Sequence, residues 1–330
     1  MTPLVGGSAP PAPRAPRTGS AVGCWVRGCP LSAFFVLAYL MSWAYWVVAL
    51  GLLGRDTLAW FVPGAFGPAV AALVVIGVVD GRDGIRAFLR RWVLWRVAPR
   101  WYLLALVGLP ALGLVVGLPF RDGTERLAVA GSVPAAVVTY LAILSFLVVL
   151  GGGQEEPGWR GFALPRMQAR LGPVMASVAL GLLWGLWHLP VFLLVPGYNA
   201  AEPGLAGVAA SLLLFTVFGT IGQALVLTWL FNQTRGSVFL AVLAHASLNA
   251  GTGFFVAPST AASVAVWTSF GVVGLAVTMA TRHAVLPPRG HLAGVARTRA
   301  SPRAGARMIR ECGPRCSPRS CSRQPGARSR

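Results

Sequence analysis

The apolar residues of this chain come in long unbroken blocks rather than as one face of a soluble helix or strand. Eight runs stand out, at roughly 31–53, 57–79, 101–120, 133–153, 173–195, 207–231, 237–256 and 260–280. A spanning helix needs about 20 predominantly apolar residues, and each run meets or approaches that length. Gly and Pro inside them, such as Pro110, are better tolerated in membrane helices than in soluble ones. The pattern predicts an all-α integral membrane protein, a bundle of about eight transmembrane helices. Residues 1–22, made largely of Pro, Ala, Gly and Arg, read as a disordered arm. No cleavable signal peptide is expected, because the first apolar run is long enough to span and no A-x-A site follows it.

Composition agrees. Of 330 residues, 55% are hydrophobic and 11% charged, against about 25% charged in an average soluble domain. The formal net charge of +19 is concentrated at the end of the chain. From Arg282 to Arg330 there are twelve Arg and one acid, Glu311. That tail holds no aromatic residue, so it lacks the stacking groups of a nucleic-acid surface, and no nucleic acid is expected as a partner. It reads as disordered and cytoplasmic, close to anionic lipid. The expected organisation is an arm over 1–30, N-terminal transmembrane helices over 31–128, a second transmembrane core over 129–283 and the Arg-rich tail over 284–330. The Cys24/Cys29 and Cys312/Cys316 spacings are weak metal patterns without neighbouring His.

Arg distribution sets an orientation. With the N-terminus inside, inner segments hold 25 Arg and outer loops only Arg55, Arg121 and Arg126. Both termini are therefore expected in the cytoplasm, in a multi-pass protein of the cell membrane. The stretch "IRAFLRRWVLWR" (85–96) is basic and aromatic. It suits the inner interface as well as it suits a plain loop.

Three polar stretches interrupt this background: "EEPGWR" (155–160), "WGLWH" (184–188) and "HASLN" (245–249). Ionisable groups in a bilayer are costly, so each is a candidate for function. Glu156 and Arg160, Trp184 and His188, and His245 and Asn249 are all i, i+4 pairs, each on one helical face. Arg160 can hold Glu156, leaving Glu155 on a neighbouring face. Pro157 fits the first turn of a helix, with the acids at its favourable end. Taken singly, each has a plain structural reading: an interhelical hydrogen bond, an interfacial ion pair, an aromatic packing residue. Together they supply a carboxylate, two imidazoles and a carboxamide. Glu155 with His188 can polarise a water, and His245 with Asn249 can donate to an oxyanion. Glu155, His188 and His245 can instead bind a divalent metal such as zinc.

The stretch "EEPGWRGFALPRMQARLGPVMASVALGLLWGLWHLPVF" resembles the core of the CPBP family, the CAAX proteases and bacteriocin-processing membrane endopeptidases also called Abi proteins. Glu155, Glu156 and Arg160 match its E-E-x-x-x-R motif. Trp184 and His188 match its aromatic-x-x-x-His motif, and His245 and Asn249 its H-x-x-x-N motif. The resemblance covers roughly residues 130–256. It implies a helical bundle with an intramembrane cavity, in which Glu155 and His188 activate water and His245 and Asn249 bind the oxyanion. Glu156, Arg160 and Trp184 are then orienting residues. The family has been described both as metalloproteases and as glutamate-type proteases, and the residues suit either scheme. The implied partners are a membrane-associated protein or peptide substrate and the lipid bilayer. A non-catalytic immunity or scaffold protein on the same fold is the competing reading, and a transporter the third.

One expectation concerns depth. On these span limits His188 is the sixteenth residue of its run, roughly 20 Å deep at 1.5 Å per residue. Glu155 sits at the inner end of the preceding run. The two meet only if residues 154–172 dip inward, which the apolar "GWRGFALPRM" permits.

Overall fold

The computed structural model describes residues 20–55, 58–120, 133–195, 204–255 and 260–281. Among them every regular element is a helix and none is a strand. In chain order the elements used below are α1 (Ala21–Gly28), α2 (Pro30–Leu52), α3 (Val62–Val79), α4 (Gly81–Trp92), α5 (Pro99–Phe120) and α6 (Val133–Leu147). They continue with α7 (Leu164–Trp187), α8 (Leu189–Leu194), α9 (Gly204–Gln233), α10 (Val238–Phe255) and α11 (Thr260–Ala280).

Among the described residues, six stretches are long and apolar enough to cross a membrane. The count differs from eight at two places. The fourth and fifth runs merge into one helical stretch, Val137–Leu194, of 58 residues. Straight, it would measure about 87 Å, nearly three times the ~30 Å hydrocarbon core. It bends instead at Leu150 (φ −107°, ψ 23°) and at Gly172 (φ 71°, ψ 173°), just before Pro173. The seventh run forms the 18-residue helix α10, Val238–Phe255, of which Val238–Gly251 is an apolar stretch. Large apolar side chains such as Leu40, Leu103, Val138, Leu213 and Val272 stay exposed on the outer helices. Exposure on that scale belongs to a lipid-facing surface. The chain is a multi-pass membrane protein.

Ala21–Gly28, within the expected arm, is helical, with Ser20 capping it through the Gly23 N–H and Val26 buried. Residues 1–19 and the tail from 282 lie outside the described residues. Amphipathic α4 breaks the apolar pattern: it buries Phe88 and leaves Arg82, Arg86 and Arg90 exposed.

Two cores hold the bundle. One joins α1, α2, α3 and α7 through Phe34, Trp46, Val75, Trp159, Phe162 and Leu180. The other joins α5, α9, α10 and α11 through Leu109, Leu227, Leu230, Leu240, Leu248 and Phe270. Between them runs a segment of two short pieces, Gly153–Glu156 and the wide-turned Pro157–Ala163. Every residue from Gln154 to Leu164 is buried. It packs against α3 on one side and α10 on the other. Two glycines permit this. A Cβ on Gly158 would lie 2.5 Å from the Pro68 carbonyl oxygen, and one on Gly152 would lie 2.7 Å from that of Val242. The first half of the segment expected to dip inward, 154–172, is buried within the protein.

Candidate active site

The site is assembled on this buried segment. Glu155 and Glu156 are adjacent but face different partners. Glu156 is wholly buried; its Oε1 accepts from Arg160 Nη1 at 2.7 Å, one turn on, and from His245 Nδ1 at 2.8 Å across to α10. The i, i+4 pair legible in the sequence is therefore present, with a histidine added to it. Glu155 keeps 5% exposure. Its Oε2 accepts from the indole N–H of Trp184 at 2.7 Å and from that of Trp159 at 3.3 Å.

Trp184 is the hub. Its ring edge holds Glu155, its face receives the Arg160 guanidinium at 4.7 Å, and the His245 ring meets it at 5.1 Å, nearly perpendicular. A guanidinium over an indole face is stabilised by the ring quadrupole. That contact matters because Arg160 Nε and Nη2 find no acceptor among the described residues. Arg160 counts among the inner-loop charges in the sequence; it lies instead at 0% exposure inside the bundle.

His188 sits where α7 stops. Its backbone N–H turns back to Gly185 O instead of Trp184 O, which releases the Trp184 carbonyl. The imidazole Nδ1 of His188 takes that carbonyl at 2.9 Å. Pro190, in the first turn of α8, lacks the N–H that would continue the ladder to Leu186. The released Trp187 carbonyl accepts from Trp43 Nε1 at 2.9 Å, and Tyr39 Oη donates to Leu183 O. A carbonyl only accepts, so His188 Nδ1 carries a hydrogen and the neutral ring presents the Nε2 lone pair. Trp187 and Phe215 flank the ring at 4.8 and 5.0 Å, edge to face.

His245 obeys the same logic. With Nδ1–H given to the Glu156 carboxylate, Nε2 is its working atom. Asn249 lies one turn further along α10 and is half-buried. The structure thus brings Glu155, Glu156, Arg160, Trp184, His188 and His245 together. A direct hydrogen bond between Glu155 and His188 is absent; Trp184, whose side chain binds one and whose carbonyl binds the other, links them.

Three contributors were missed in the sequence. Trp159 stands i+4 from Glu155, a spacing that pointed to it. Pro190, two residues after His188, signalled the helix break. Trp43 left no local signal, since it acts from a distant helix. As for a metal, Glu155, His188 and His245 do not form a ligand set here. Among the described residues no three His, Cys, Asp or Glu side chains are arranged to hold an ion.

Comparison with known proteins meets this geometry. Residues 137–251 match the family described as Type II CAAX prenyl endopeptidase Rce1-like. The chain is also 23% identical to the CAAX prenyl protease 2 of Methanococcus maripaludis over 226 residues, 66% of this chain and 81% of that protein. The matched region contains all three motifs and both imidazoles. The match and the relative agree with the resemblance carried by those motifs: residues 137–251 are similar to the Rce1-like family of CAAX prenyl endopeptidases.

Proposed function

We propose that this protein is an intramembrane endopeptidase that cleaves near the end of a lipid-modified, CAAX-type protein. The substrate class follows the family description and the archaeal relative's name; processing of bacteriocin or leader peptides is the other route open to the family. One observation carries the mechanism. Glu155 is fixed by two neutral indole N–H donors, retains slight access, and lies among two imidazoles whose Nδ1 atoms are both engaged.

In this reading Glu155, assisted by His188 Nε2, takes a proton from water as the oxygen attacks the scissile carbonyl carbon. The carbonyl π pair moves to oxygen. His245 Nε2–H and the Asn249 amide donate to that oxyanion. That donation requires His245 to carry hydrogens on both nitrogens, with Nδ1–H on Glu156, which Arg160 holds in place. The C–N bond then breaks, and the proton held by the base passes to the leaving amine. The Arg bias puts both termini in the cytoplasm and the protein in the cell membrane.

The test needs no known substrate. Wild type and Glu155→Gln are expressed at equal abundance in a host lacking the protein, and new peptide termini in the membrane fraction are compared. Termini produced by wild type alone support the proposal and name the substrate. Identical profiles from two folded, abundant proteins would replace it with the scaffold or immunity reading.

A further inference from the structure

A second feature lies apart from the acidic site. At the start of α5 lies an open cavity of about 560 Å³, lined by residues 95–98, Trp101 and 233–235. None of these is acidic and none belongs to the catalytic cluster. Two arginines are bound into it. Arg235 adopts a left-handed backbone (φ 59°), and its Nη2 donates to the Arg96 carbonyl. The Arg96 guanidinium lies 5.2 Å from the Trp95 ring centroid, and Arg100 lies 4.9 Å from that of Trp101. No carboxylate is paired with any of the three among the described residues. Ala98, the N-cap of α5, offers no side-chain cap. The partly positive end of a long helix thus opens on the same space.

The rim is apolar: Trp95 is 57% and Val93 70% exposed. It continues into α4, the amphipathic helix that carries Arg90 and Arg91 beside exposed Leu89 and Trp92. Tryptophan and arginine together mark a membrane interface. Free phosphate has no use for that rim, whereas a glycerol backbone and acyl chains would cover it. We propose that this cavity binds the phosphate of an anionic phospholipid, with Arg96 and Arg235 as its ligands and the indoles against the glycerol region.

The test uses the full-length protein in detergent and native mass spectrometry. Retention of phosphatidylglycerol is compared with that of phosphatidylcholine bearing the same acyl chains. Wild type should prefer the anionic lipid. The double variant Arg96→Gln/Arg235→Gln should lose roughly thirty-fold of that preference, about five-fold for each arginine. Arg96→Lys/Arg235→Lys keeps the charge and should retain most of it, which separates charge recognition from a collapsed turn. The Arg-rich tail attracts lipid equally in every variant, so the differences isolate the cavity. An unchanged preference in the Gln variant overturns the proposal, as does an equal loss in the folded Lys variant. Displacement of the lipid by millimolar inorganic phosphate would overturn the lipid assignment.

Discussion

The floor and the mouth of the catalytic cluster are built on opposite plans, though one peptide bond separates their carboxylates. The floor is buried and built on an ion pair. Glu156 and Arg160 are at 0% exposure and His245 at 2%, and the acid binds two nitrogen partners. The mouth is held by neutral donors and stays slightly open: Glu155 is 5% and His188 6% exposed. Taking one partner from a buried ion pair strands a charge and is costly. A carboxylate held through Oε2 by indole N–H groups leaves Oε1 to accept a proton. The floor should answer to stability assays and the mouth to kinetics.

The largest expected effect breaks the mouth. Glu155→Gln or His188→Ala should lower the cleavage rate about 10²–10⁴-fold, the range of general acid–base catalysis, while the thermal midpoint holds. Fully active His188→Ala enzyme would end the assignment of that residue. Next comes the floor. Glu156→Gln or Arg160→Met should cost about 3–5 kcal/mol, as expected when one partner of a buried pair is removed. Denaturation of the purified protein reads it directly. Wild-type stability in either variant would erase the distinction between the two carboxylates.

A finer test sharpens the comparison at Trp184. Trp184→Phe keeps a ring under Arg160 but deletes the donor to Glu155. A hydrogen bond to a charged group contributes about 1.5–3 kcal/mol, so kcat/KM should fall roughly 10- to 100-fold. Trp159→Phe removes the longer bond, 3.3 Å, and should cost less. Equal losses at both positions would show that the indoles act by packing alone. The smallest expected effect is none: deleting residues 285–330 should leave the turnover rate unchanged.

Much of this was legible in the sequence, for reasons that differ from residue to residue. Glu156–Arg160 and Trp184–His188 lie one helical turn apart, and helical spacing alone brings such pairs together. The apolar runs were legible because lipid demands them. The boundary between the fourth and fifth runs was not. "GWRGFALPRM" is as apolar as a lipid-facing turn, and only the close approach of Gly158 to Pro68 reveals that protein covers it. The partnership of Glu156 with His245 spans 89 positions and joins two motifs that neither spacing nor composition connects. The indole donors were hidden for a related reason: a tryptophan in an apolar run reads as bulk, and its single N–H counts only once the acceptor is in place.

The carbonyls of α7 that α2 engages carry a consequence for modularity. Trp187 O is claimed by Trp43 and Leu183 O by Tyr39, both on α2. Helix α3 closes over the acidic segment at Pro68. The region that matches the family begins only at residue 137, yet the helix that carries His188 is moored to α2, far upstream of it. Grafting residues 137–251 onto foreign helices would transfer the motifs without their moorings. The working unit to transplant, shuffle or redesign extends back at least to α2.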